Sequence, residues 1–419
     1  MWLKLYSFLL WLWQPLYWLR LYWRGRSNPG YRQHWRERIG QMPVPVPPGS
    51  LWIHAVSVGE TQAIAPFIHY IKTEHPELPL YLTQTTPTGR AQAERLFGNS
   101  IPHSYLPYDL PRYLRRFLRA LRPRALILVE TELWPNLLHE AARQNIPVYL
   151  VNARLSARSQ AGYQRLRHFT RQTVAQLHAV AAQTPADAAR LHSLGIPEAK
   201  IRVTGSLKYD QPTPDPQAAY ILRQTWPTGP IWIAASTHAG EDEILLTAHT
   251  QLRQNHPTAR LILVPRHPER FDAVATSIRN SGHRCARRSQ REPLQADTSV
   301  YLADTMGELP VLLGTADVAF IGGSLVPVGG HNMLEAIAQS VPVCFGPHTF
   351  HFADMAQQLI RQGAAQQVTD AAHLAEVLSH WLSDPVARQV AGQAGRDYMQ
   401  RNQGAVARLY QQLSTLLCA

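Results

Sequence analysis

Alternation constrains this chain more than any other feature. Short apolar runs recur along it, separated by stretches that read as helix. After a proline-rich break, MPVPVPPGS, the run LWIHAV reads as a strand, ETQAIAPFIHYIKTEHP as a helix and LPLYLTQT as a strand. RALILVE, IPVYLV, LHAVAAQ and KIRVTG continue the pattern. The segment Lys208–Pro230, with five prolines from Pro212 on, reads as a linker plus a helix. The alternation then restarts with IWIAAST, ARLILVP, TSVYLAD, VAFIGG and VPVCFG. Strands alternating with helices imply a parallel sheet covered on both faces. At 419 residues the expected fold class is α/β, two doubly wound domains facing one another across a cleft. The expected boundaries are an anchor at 1–23, a first domain at 24–208, a linker at 209–230 and a second domain at 231–419. Ligands of such sheets sit beyond the carboxyl ends of the strands, so the loops there carry the chemistry.

The richest of these loops lies between Phe320 and Phe352. The strand AFIGG opens into a segment holding Gly322, Gly323, Gly329 and Gly330, and a helix, NMLEAIAQ, is expected from Asn332. Glycine lets a backbone approach a ligand closely, and a helix N-terminus points N–H groups at an anion. Glu335, one turn in, is placed to accept hydrogen bonds from ribose hydroxyls. The segment reads either as a nucleotide phosphate and sugar site or as a tight turn in which His331 and Glu335 merely cap.

Charge is distributed unevenly. Residues 1–207 hold 25 basic groups against 11 acidic ones, a net +14, while the remainder is −2. Arginine dominates the excess (Arg24, Arg26, Arg32, Arg36, Arg38, then Arg112, Arg115, Arg116, Arg119), and its planar fork suits phosphate. The partner this implies is a phosphorylated or anionic lipid. No RNA- or DNA-binding signature accompanies the charge, so no nucleic-acid partner is expected. Three widely spaced cysteines, Cys285, Cys344 and Cys418, give neither a disulfide framework nor a zinc site. His348 and His351 have a metal-like spacing but no nearby acidic partner.

The first 23 residues carry nine aromatic side chains, among them Trp2, Trp11, Trp13, Trp18 and Trp23. Trp and Tyr favour the headgroup region of a bilayer, and basic residues follow at once. The segment reads as an in-plane membrane anchor, a single span tolerating Gln14, Pro15 and Arg20, or an aromatic core helix. Both membrane readings put the remainder of the chain on the cytoplasmic side.

Several polar residues follow strands directly. Glu60, after Ser57-Val58-Gly59, is either a helix N-terminal charge or a general base, and its place at a helix start should keep it ionised. Glu130 and Glu132 follow LILV. Glu130 is suited to orient a neighbour or stabilise positive charge, and Glu132 either shares that work or starts the next helix. Lys208 is placed either to meet a leaving phosphate or as a solvated linker lysine. Arg266-His267, bracketed by Pro265 and Pro268, can bind phosphate from a rigid loop. Asp304 to Leu309 offers backbone groups to a base edge, and Ser236-Thr237-His238 is a further rim candidate. No Asp-x-Asp motif occurs, so metal-free chemistry without a cofactor is expected.

These segments together resemble a known family. HAVSVGE, YLPYDLP, ETELWPN, NARLSARS, VTGSLKYD, ASTHAGEDE, LVPRHPERF, DTMGEL and GGSLVPVGGHNMLE are similar to the Kdo (3-deoxy-D-manno-octulosonate) transferases of lipopolysaccharide synthesis, over essentially the whole chain. Met333 departs from the proline expected after His-Asn. The resemblance implies a GT-B glycosyltransferase that moves Kdo from CMP-Kdo to the lipid A precursor, lipid IVA, with inversion, at the cytoplasmic side of the inner membrane and in contact with its lipids. It implies Glu60 as general base and Glu130 and Lys208 as transition-state stabilisers. Arg266 and His267, Met306, Gly307 and Glu308, and Asn332, Met333, Leu334 and Glu335 match its CMP-binding segments.

Overall fold

The computed structural model describes residues 2–212 and 215–417. The chain divides into two compact units, one running to Gln211 and resuming at Asn402, the other running from Pro212 to Arg401. Thr213 and Pro214 of the expected linker, and Cys418, lie outside the described residues.

The first unit is built on a parallel sheet of β1 (Leu51–His54), β2 (Leu80–Gln84), β3 (His103–Tyr105), β4 (Ala125–Val129), β5 (Val148–Ala153), β6 (Ala179–Ala182) and β7 (Ile201–Val203). Their order is β3-β2-β1-β4-β5-β6-β7. Ile53 of β1 lies opposite Leu82 on one side and Ile127 on the other. Because such strands are apolar on both faces, helices cover both. Phe67 and Ile68 of the Val58–Glu74 helix fill one side, and Trp52, Phe117 and Leu137 the other.

The second unit repeats the plan with β8 (Ile231–Thr237), β9 (Arg260–Pro265), β10 (Cys285–Arg287), β11 (Val300–Leu302), β12 (Val318–Ile321), β13 (Val343–Phe345) and β14 (Ala365–Gln367). Here the order is β10-β11-β9-β8-β12-β13-β14, again parallel. Both sheets are doubly wound, as the alternation predicts. Three strands escaped the sequence reading: β3, β10 and β14. Each is three residues long and lies at a sheet edge, where one face and one flank need no apolar cover.

The expected second domain ran to residue 419, and the structure corrects this. The amphipathic stretch breaks at Gly404, whose φ is +89°, and the helix Ala405–Leu417 returns to the first unit. Leu409 and Leu413 are buried in the core that holds Phe67 and Ile68. The Asp210 carboxylate accepts the N–H groups of Gly404 and Val406 at 2.7 and 2.6 Å, capping this helix from the start of the expected linker. A helix goes where its apolar stripe is covered, whatever its place in the sequence.

The N-terminal helix is continuous from Trp2 to Ser27. Residues 3, 6, 7, 10, 14, 17, 18 and 21 are half-buried, a spacing of three or four that marks one docking face. That face is mixed rather than apolar. Tyr6 donates to Asp109 at 3.0 Å and Ser7 to Asn136 at 2.8 Å, while Tyr17 and Trp18 pack on Tyr108. The other face exposes Phe8, Trp11, Trp13, Leu16 and Trp23, the last by 63%. The helix is therefore not a core helix. Among the described residues no helix is long and apolar enough to cross a membrane. Gln14, Pro15 and Arg20 dilute the segment too far for the spanning reading.

Candidate functional site

In each sheet the order reverses beside the first strand. The chain runs outward from β1 to β2 and β3, then returns to place β4 on the other side of β1. The loops after β1 and β4 diverge there, at the position where doubly wound sheets bind ligands. The same reversal occurs between β8 and β12 in the second unit.

At the reversal of the first unit stand Glu60, Glu130 and Glu132. Ser57 caps the Val58–Glu74 helix by accepting the Glu60 N–H, and the Glu60 carboxylate reaches back to accept the Val56 N–H at 2.7 Å and the Ser57 hydroxyl at 3.0 Å. This is a capping-box exchange shifted by one residue. A helix N-terminus by itself would keep Glu60 ionised. Burial overrides it: Glu60 is 8% exposed, and desolvation, with the Glu130 and Glu132 carboxylates adding to it, pushes its pKa up to about 8.

Glu130 follows β4 with a left-handed φ of +60°, which a non-glycine residue holds only under constraint. Its N–H donates to Val151 of β5 at 2.9 Å, and its carboxylate pairs with the Lys208 ammonium at 3.4 Å. Both side chains are about a quarter exposed, so the pair remains accessible to a reactant. Lys208 lies in the Leu207–Asp210 turn, pinned by the Asn152 side chain, which accepts the Leu207 N–H at 3.1 Å. Asn152 itself has φ +52°. Glu132 accepts the Trp134 indole N–H at 2.8 Å, and burial raises it to about 7, with Glu130 contributing. It does not start the next helix. Asp109 does that, accepting the Asn136 and Leu137 N–H groups at 3.0 and 2.8 Å.

The corresponding loops of the second unit carry bases and cations. Its adjacent strands β11, β9, β8 and β12 send their following loops to one edge, so 303–308, 266–270, 238–241 and 322–333 are neighbours. Arg266 is half-buried and makes no ion pair among the described residues. His267 packs edge-on against His238, with ring centres 5.2 Å apart. His238 and His331 share a hydrogen bond of 2.7 Å between their Nε2 atoms, so one ring donates and the other accepts. Burial, then the neighbouring His238, Arg266, His267 and His351, hold His331 down to about 4. Glu241 is fully buried and accepts four backbone N–H groups, those of His238, Gly323, Ser324 and Leu325, at 2.7–3.0 Å.

That carboxylate changes the reading of the glycine loop, because the N–H groups of its first half are already engaged. Gly322 is required because a Cβ there would lie 2.5 Å from the Ser236 carbonyl oxygen. Gly323 has φ +68° and faces the rings of His238 and His331. The expected helix NMLEAIAQ is reduced to one turn, Leu334–Ile337, with Asn332 Oδ1 accepting the Leu334 N–H at 3.2 Å. So short a helix has little dipole to offer. Met333 and Leu334 point into the core, which leaves their backbone, with Asn332 and Glu335, as the parts that can face a ligand. Met306 is 57% exposed, and Gly307 turns at φ +89°. Glu308 is gripped by the Arg288 guanidinium at 2.7 Å, which holds it below the usual carboxylate range, and it lines a cavity of about 560 Å3 with Trp226 and Tyr301.

The sequence reading thus named most of these residues but missed Glu241, Asn152 and Asp109. A signal existed for Glu241: Ser57-x-x-Glu60 and His238-x-x-Glu241 both set a glutamate three residues after a polar residue just beyond the first strand of their sheet.

Comparison with known proteins converges with this geometry. A family model described as 3-deoxy-D-manno-octulosonic-acid transferase (kdotransferase) matches residues 33–211. The chain is 40% identical to the 3-deoxy-D-manno-octulosonic acid transferase of Haemophilus influenzae over 100% of this chain and 99% of that one. It is also 40% identical to that of Bordetella pertussis over 94% of each. Among solved structures, UDP-GlcNAc 2-epimerase from Neisseria meningitidis aligns with a TM-score of 0.60 at 16% identity, covering 87% of this chain and 100% of that one. A glycosyltransferase from Rickettsia africae aligns at 0.56 and 13% identity, covering 88% and 97%. At such identities these two show the fold alone, a GT-B pair of Rossmann-like units. Near-complete coverage at 40% identity shows more: the chain belongs to the 3-deoxy-D-manno-octulosonic acid transferase family.

Proposed function

We propose that this glycosyltransferase moves Kdo from CMP-Kdo to lipid IVA with inversion and without a metal. The observation that carries the reading is the constellation of the first unit, a buried Glu60 beside the accessible Lys208–Glu130 pair. An acceptor hydroxyl must lose its proton as it attacks the anomeric carbon. A carboxylate raised to about 8 is a competent base near neutral pH, since proton transfer is best served by a pKa close to the working pH. Lys208 stabilises the phosphate charge that grows as CMP departs, and Glu130 holds Lys208. CMP leaves as a phosphate monoester and needs no general acid. A single displacement inverts the centre.

In the second unit Arg266 and His267 take the donor phosphate. The 306–308 and 332–335 segments hold the cytidine and ribose. These cations supply positive charge where other transferases use a divalent ion. The exposed aromatic face of the N-terminal helix lies in the headgroup region of the cytoplasmic leaflet of the inner membrane, with Arg20, Arg24 and Arg26 beside it for anionic lipids. The decisive assay incubates purified protein with CMP-Kdo and tetraacyl lipid A precursor and reads the product mass. A Kdo-sized increment without added metal supports the reading. No increment, or transfer from a UDP-sugar instead, defeats it.

A further inference from the structure

One apolar cavity lies beside the carboxylates of the first unit and plays no part in the chemistry above. It has a volume of about 410 Å3, within the ~300–1,000 Å3 range of small-molecule sites. Leu133, Pro135, Tyr163, Leu166, Phe169 and Val174 line it. Its far wall is the helix pair Ala157–Arg165 and Arg167–Val174. The first of these helices has no buried residue, and Leu166 between the two is 59% exposed. An apolar hollow walled by so little covered surface calls for an apolar occupant.

Three connections identify that occupant. Leu133 and Pro135 flank Trp134, whose indole N–H is bonded to Glu132, so the cavity wall and the carboxylate loop are one segment. Phe169 packs on Tyr6 of the N-terminal helix with ring centres 5.6 Å apart, so the opposite wall continues into the element with the exposed aromatic face. Tyr163 and Thr170 are shared with a second cavity of about 340 Å3 that also holds Arg167 and Arg171. Residues 157–174 contain four arginines and no acidic residue. Arg158, Arg165, Arg167 and Arg171 form no ion pair among the described residues. An apolar slot, a cationic slot and a carboxylate loop thus adjoin, and the matching ligand has a hydrocarbon chain, a phosphate and a reactive hydroxyl.

Resting on the transferase reading above, we infer that the cavity between the 133–135 loop and the 157–174 helix pair seats one acyl chain of the acceptor lipid, with an acceptor phosphate on Arg167 and Arg171. The site then selects acylated acceptors by hydrophobic burial and sets the depth at which the sugar hydroxyl meets the carboxylates.

Gly162 gives a clean test, because a Cβ there meets nothing within 4 Å and the position is helical. Gly162→Phe fills the mouth of the cavity while raising helix propensity. Kdo transfer is measured with the full chain on two acceptors, the tetraacylated bisphosphorylated glucosamine disaccharide and the same disaccharide stripped of its acyl chains. The ratio of their kcat/KM values should fall about tenfold in Gly162→Phe, the loss expected when about two methylenes stay in water. Arg167→Gln with Arg171→Gln should lower the preference for the bisphosphorylated over the dephosphorylated acceptor. In a second arm, native protein is irradiated with acceptor bearing a diazirine on one acyl chain, and the label should map to the peptide 157–174. An unchanged ratio in the Phe variant, or a label confined to other segments, overturns the acyl site while leaving the transferase reading intact. If native protein glycosylates neither acceptor, the transferase reading fails first and takes the acyl site with it.

Discussion

Glu60 and Glu241 occupy the same place in two like sheets, just beyond the first strand where the strand order reverses, and they have opposite fates. Glu241 is fully buried and accepts four backbone N–H groups, so its lone pairs are used in holding the glycine loop of the second unit. Glu60 accepts one backbone N–H and one hydroxyl, and burial, with two further carboxylates adding to it, raises it to about 8. A carboxylate spent on backbone donors is a structural anion. One left with capacity, desolvated and crowded by like charge, can exchange a proton. Topology supplied the position twice, and the neighbours decided the role.

The largest expected effect breaks this contrast at Glu60. Glu60→Gln should cut Kdo transfer by roughly 10³-fold, the middle of the range for a lost general base, with the melting temperature preserved. A variant that keeps a tenth of native turnover removes Glu60 from the chemistry. Glu241→Ala should act on the fold instead. It strands four buried N–H groups at about 1–3 kcal/mol each before water relieves some of them, so a loss of about 3 kcal/mol is expected in urea unfolding. A loss under about 1 kcal/mol would mean the loop stands without it.

Lys208→Ala should lower kcat by about 10²-fold, the scale of a single electrostatic stabiliser, and leave acceptor KM little changed. A change in KM alone would make Lys208 a binding group. The smallest effect concerns pH. Folded Glu60 keeps its proton to about 8, against 4.5 for an ordinary glutamate, so between these values the folded state binds more protons than the unfolded. Its contribution therefore turns unfavourable as pH rises through that window, and Glu60→Gln should stabilise the protein by about 1–3 kcal/mol above pH 8 but not at pH 4.5. The native pH–rate profile should rise toward an apparent pKa near 8 that belongs to the Glu60–Glu132 pair, and that limb should vanish in the variant. Equal stabilisation at both pH values would place the raised pKa elsewhere.

Much of this architecture was readable from local pattern. Apolar runs such as RALILVE and ARLILVP are too hydrophobic to be anything but buried strands, and such runs recovered eleven of the fourteen strands among the described residues. The missed β3, β10 and β14 carry polar residues because edges tolerate them. Arg266 and Glu130 were visible because they follow strands directly, and Lys208 because it stands in the loop after KIRVTG. Arg270 stands in the same loop as Arg266, and its guanidinium is committed to Asp242 and the Thr237 carbonyl, tying the β8 and β9 loops together. No local pattern separates an arginine that binds a ligand from one that braces a loop.

Sequence alone determined the class of fold, the two sheets and the candidate loops at their strand ends, because these follow from periodicity and from glycine and proline at particular places. Tertiary structure alone decided three things. It sent the helix Ala405–Leu417 back to the first unit, because Leu409 and Leu413 find their cover there. It reversed the expected ionisation of Glu60, because the desolvation of a buried carboxylate outweighs a helix N-terminus. And it closed the first half of the glycine loop on Glu241, because buried N–H groups take whatever acceptor the fold brings within reach.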